Sequence, residues 1–92
     1  MSTLTVRNPA TGETLATLPA DDAASVATRA AAARAAQPAW AALPLAERVA
    51  CIRRYREAIV AQLDVLAETL THEVGKPIRQ SRNELNGLLP RL

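Results

Sequence analysis

The sequence contains no phenylalanine and only one each of tryptophan (Trp40), tyrosine (Tyr55), cysteine (Cys51), histidine (His72) and lysine (Lys76). Each shortage closes a route. Small self-sufficient domains lean on aromatic anchors, a metal or disulfides. A single cysteine forbids an internal disulfide and gives no reason to place the chain outside the cytosol, so a cytoplasmic location is expected. One histidine and one cysteine make no metal-ligand set. No apolar run approaches the roughly 20 residues of a membrane span. The stretch Met1 to Arg7 lacks the basic flank and apolar core of a signal peptide. One-signed charge is missing too: 11 basic residues face 9 acidic ones, and the arginines interleave with acids. That balance, with no aromatics to stack bases, argues against a nucleic-acid partner.

What is present is mostly alanine. The 92 residues are 49% hydrophobic, but 20 of those 45 apolar side chains are alanines. A chain of this length allows one small domain at most. With so little bulky apolar material, the composition is that of an incomplete unit.

Three blocks follow one another. Leu4 to Arg7 and Glu13 to Leu18 are rich in Leu, Val and Thr and read as a β-hairpin over 4–18. In the turn between them, Asn8 can bond the backbone, Pro9 fixes φ and Gly12 can adopt φ > 0. Pro19 is expected to end the second strand. An alanine-rich helix is expected over 21–37, with Asp21 as N-cap, Asp22 at the positive end of the dipole and Pro38 as terminator. Its Val26, Ala30, Ala33 face would permit another element to approach closely. Ala39-Trp40-Ala41-Ala42-Leu43 then reads as a tight apolar connector.

A long helix over 44–74 comes next, opened by Pro44 at its first position. Val49, Ile52, Ile59, Leu63, Leu66 and Leu70 make one apolar stripe along it. Gly75 suits the residue after its end, and Pro77 prevents continuation. Pro77 opens a last helix over 77–89, before Pro90. The long helix would measure about 45 Å, whereas a globule of this length has a radius of gyration of roughly 12 Å. It should therefore lie on something larger.

Several residues invite a chemical reading and do not sustain it. Cys51 sits mid-helix, 21 residues from His72, with no activating neighbour. His72 suits the dipole in a last helical turn. Gly75-Lys76 lacks the glycine at 70 and the Ser or Thr at 77 that a phosphate loop requires; those positions hold Leu70 and Pro77. Arg53, Arg54 and Arg56 lie near Glu57 and read as a mixed-charge solvated face.

The order of motifs resembles that of the aldehyde dehydrogenase family at its N-terminal segment. Asn8-Pro9-Ala10-Thr11-Gly12-Glu13 is similar to the family's "NPATGE" opening. An alanine-rich helix, Trp40, then Leu45-Ala46-Glu47-Arg48 follow in the family's order, and Glu73-Val74-Gly75-Lys76-Pro77 is similar to its "E.GKP". Glu84 falls seven residues after Pro77, where many members place an acid. The resemblance runs from about Leu4 to Leu89. It implies an α/β fold for the full-length protein, with a Rossmann-like cofactor domain to which this segment contributes a β-hairpin followed by three helices. It also implies oxidation of aldehydes to acids with NAD or NADP, through a cysteine nucleophile, a glutamate that activates water and an oxyanion site. None of those residues matches a position in this chain.

The expected partners are the remainder of that fold and further copies in a homo-oligomer. Asn8, Pro9, Gly12, Trp40, Arg48, Gly75 and Pro77 are expected to be structural. In some members an acid in this region helps hold a monovalent cation, which makes Glu84, with backbone near Val6 and Arg7, the one weak metal candidate. The alternative expectation is a free-standing helical interaction module that reuses this segment and docks its apolar stripe on a partner.

Overall fold

A computed structural model describes residues 2–92. Its elements, in chain order, are β1 (Thr3–Arg7), β2 (Thr14–Pro19), α1 (Ala23–Ala42), α2 (Leu45–Ala61), α3 (Leu63–Val74) and α4 (Ile78–Leu88), with a closing 3-10 turn at Leu89–Arg91. The hairpin followed by helices is therefore present, but with four α-helices where three were expected.

The hairpin is antiparallel, pairing Leu4 with Leu18, Thr5 with Thr17 and Val6 with Ala16, and is irregular between Val6 and Arg7. Its turn satisfies its own backbone. Asn8 Oδ1 accepts from the Ala10 N–H at 2.9 Å, and the Asn8 carbonyl accepts from the Gly12 N–H at 2.8 Å. Gly12 sits at φ +77°, in the left-handed region where a side chain is strained. Pro19 is the last residue of β2, and the Ala20 N–H still reaches the Ser2 carbonyl at 2.9 Å.

Helix α1 departs from expectation at both ends. Its N-cap is Asp22, not Asp21. Ser25 decides this. Three residues beyond Asp22, it donates its N–H to Asp22 Oδ1 (2.8 Å) and accepts the Asp22 N–H on its hydroxyl (2.9 Å), a reciprocal capping box. Asp21 instead accepts from the Ser25 hydroxyl and pairs with Arg29.

At the other end Pro38 does not terminate the helix, which runs through it to Ala42. Proline removes one helical donor and crowds the carbonyl four residues back, that of Arg34. Here that turn lies in solvent, and the flanking residues are mostly alanines, the best helix formers. The 39–43 connector is therefore helical up to Ala42. No other described element packs extensively on α1, and none of its residues is buried.

The expected 44–74 helix is two helices, broken at Gln62. Gln62 leaves helical geometry at φ −118°, ψ 18° and caps both sides. Its N–H donates to the Ile59 carbonyl, and its carbonyl accepts from the Leu66 N–H. Neither glycine nor proline causes the break. β-branched Ile59 and Val60 lose χ1 freedom in a helix, and beyond Gln62 the chain packs α3 on α4. Pro44 and Pro77 each stand one position earlier than expected, as N-cap residues with ψ near +140°. Their carbonyls accept the first helical bonds, from Glu47 and Arg48 and from Gln80 and Ser81. The last helix ends at Leu88, and Pro90 lies inside the 3-10 turn that follows.

The packed part is the α3–α4 pair, with β1 resting on α3. Among the described residues only Ile59 and Ala67 are buried apolar side chains, and Ser81 is the buried polar one. The molecule is a slab of 48 × 37 × 15 Å with a radius of gyration of 17.3 Å, against the roughly 12 Å of a closed globule of this length. No described helix is long and apolar enough to cross a membrane.

Candidate functional site

Two clusters tie the helices to one another, and both are built at helix ends. The first is the loop from α3 to α4. Gly75 caps α3 at φ +76°, and its N–H donates to the Thr71 carbonyl at 2.9 Å. A Cβ added there would stand 3.0 Å from Pro9 Cγ. Gly75 is thus required twice: by the left-handed backbone and by the hairpin turn lying against it. One residue further on, the Lys76 ammonium pairs with the carboxylate of Glu84, in the second turn of α4. Behind this pair, Thr71 and Ser81 join α3 to α4 by a hydroxyl–hydroxyl hydrogen bond of 2.8 Å, with Ser81 fully buried.

The second cluster surrounds the α1–α2 corner. Trp40 is half-buried in the last turn of α1 and reaches clefts on both sides of α2. One is lined with Glu47, Cys51 and Arg54, the other with Leu45, Val49, Ile52 and Leu92. Arg48 Nε donates to the Leu43 carbonyl at 3.2 Å, tying the first turn of α2 back to the corner.

The chemically tempting residues are not brought together. Cys51 is half-buried beside Trp40 and Arg54, whereas His72 is exposed on α3 in a different cleft, with Leu15, Ala16 and Thr69. No cluster of three potential metal ligands occurs among the described residues. Glu84, the cation candidate, faces Lys76, so an ammonium already supplies positive charge to its carboxylate.

Arg53, Arg54, Arg56 and Glu57 are all exposed, as a mixed-charge solvated face requires, but the three arginines diverge. Arg53 lines the Ile52 groove, Arg54 the Cys51 cleft, and Arg56 Nε donates to the Leu89 carbonyl at 3.1 Å, across 33 residues of sequence. The ion pairs among the described residues are Arg29–Asp21, Lys76–Glu84 and Arg82–Asp64. All are largely solvated and contribute little to stability.

At the start of α1, the Ser25 backbone N–H holds the Asp22 carboxyl below its usual pKa. The spacing of Ser25, three residues beyond Asp22, is the sequence signal for this box, and the expectation of Asp21 as N-cap passed over it. The Thr71–Ser81 bond has no such signal, because it depends on how α4 folds back after Gly75.

With that geometry in hand, comparison with known proteins assigns it a context. The family model described as "Aldehyde dehydrogenase family" matches residues 1–90. The chain is 41% identical over 83 residues to glutarate-semialdehyde dehydrogenase of Pseudomonas putida, an alignment covering 90% of this chain and 17% of that protein. It is 43% identical over 82 residues to N-succinylglutamate 5-semialdehyde dehydrogenase 2 of Caulobacter vibrioides, covering 89% and 17%. With N-succinylglutamate 5-semialdehyde dehydrogenase of Chromohalobacter salexigens it shares 39% over 82 residues, again 89% and 17%. The chain thus spans about a sixth of the length of the curated relatives it matches. No solved structure matches it.

Proposed function

Because the chain belongs to the aldehyde dehydrogenase family, we propose that it is the N-terminal portion of the cofactor-binding domain of an NAD(P)-dependent aldehyde dehydrogenase, a scaffold with no catalytic side chain of its own. The carrying observation is the imbalance of burial: among the described residues thirteen large apolar side chains stand exposed, from Leu4 to Leu92, over a core of Ile59 and Ala67. Apolar exposure on that scale over so small a core supports a surface that a partner covers. In this reading the rest of the dehydrogenase fold covers it, and further copies of the enzyme complete a homo-oligomer.

The relatives are named for semialdehydes, so semialdehydes are the proposed substrate class of the complete enzyme. NAD(P) supplies a hydride acceptor when bound. The residues of this chain do not fit it. The Lys76 ammonium is engaged by Glu84, Gly75 is closed over by Pro9, and Leu70 and Pro77 stand where a phosphate loop needs glycine and a hydroxyl. The work of these residues is positional: Gly75 and Pro9 dock the hairpin on α3, Arg48 and Trp40 fix the α1–α2 corner, and Ser81 locks α4 to α3.

The test is NAD(P)H formation from succinic and glutaric semialdehyde by the 92-residue chain and by the polypeptide read from its gene past codon 92. The expected result is no turnover by the former and turnover by the latter. Turnover by the short chain that disappears in Cys51→Ser would overturn the scaffold reading.

A further inference from the structure

We draw no further inference here: the strongest candidate, the apolar groove along α2 lined by Trp40, Leu45, Val49, Ile52 and Leu92, is an unpartnered helix face, and nothing in the structure shows what covers it.

Discussion

At the scale of single residues, the most constrained position is Gly75, because two independent restrictions meet there. Its φ of +76° disfavours any Cβ, and the one that would be added meets Pro9 Cγ at 3.0 Å. In the proposed full-length enzyme Gly75→Ala should lower stability by roughly 1–2 kcal/mol from backbone strain, with a further increment from the contact. Pro9→Ala should relieve that increment and leave the strain. Thermal melting of both single variants and the double variant separates the two, and strictly additive effects would show that the contact is not felt.

Asp22 makes a different kind of prediction. Its carboxyl is held below the usual value by the Ser25 N–H, so the ionised form is favoured in the folded helix. Its contribution is therefore fully present above the ordinary carboxylate pKa of about 4 and is lost as pH falls through the lowered folded value. The Ser25 amide resonance should titrate with a midpoint below the ordinary value, and Asp22→Asn should abolish that titration while keeping a cap. A midpoint at or above the ordinary value would contradict the capping geometry.

At the scale of elements, α3 and α4 are held by a small-residue seam. Ala67 and Ser81 are fully buried, and the Thr71–Ser81 hydroxyl bond lies between the helices. Ser81→Ala should cost about 1 kcal/mol, since Thr71 loses its partner. Ser81→Leu should cost more, about 1–3 kcal/mol from overpacking alone, because the seam has no room. Urea denaturation of the proposed full-length enzyme orders the two variants, and the reverse order would mean that the helices separate freely.

Element boundaries also show where local signals end. The hairpin was legible because Asn8, Pro9 and Gly12 act within a few residues of themselves. The end of α3 was legible because Gly75 and Pro77 are local stops. Pro38 misled because its penalty, about 3 kcal/mol in a helix interior, is set against neighbours that strongly favour helix and a carbonyl open to water. Gln62 was silent because nothing in Ala61-Gln62-Leu63 breaks a helix; beyond it α3 packs on α4, a partner that begins sixteen residues later. The site divides in the same way. The capping box has its signal in the Asp22–Ser25 spacing, which the choice of Asp21 as cap missed, while the Lys76–Glu84 and Thr71–Ser81 pairs arise only once the chain has turned back.

At the scale of the whole molecule, the slab shape sets the behaviour of the chain in isolation. The stripe expected along one long helix is divided by Gln62. Its first half, Val49 and Ile52, remains exposed, while Ile59 is buried and Leu63, Leu66 and Leu70 are half-covered. The isolated chain should therefore self-associate while keeping its helicity, since alanine, leucine and arginine favour helix without tertiary help. Sedimentation and melting at several concentrations check this. A concentration-independent monomer with one sharp transition would favour the free-standing module.

Helix α1 has a consequence of another sort. It is capped at Asp22, rich in alanine, nearly bare of contacts and about 30 Å long, and it joins the hairpin to the body on which the hairpin rests. Such an element is a spacer with a phase. Removing one of its alanines would shorten it by only about 1.5 Å but would turn everything before it by about 100° around the helix axis, carrying Pro9 away from Gly75. Removing four would leave the angle within about 40° while shifting the hairpin by about 6 Å. The identity of its alanines is therefore less constrained than their number, and α1 is the part of the chain where a substitution is mild and a deletion is severe.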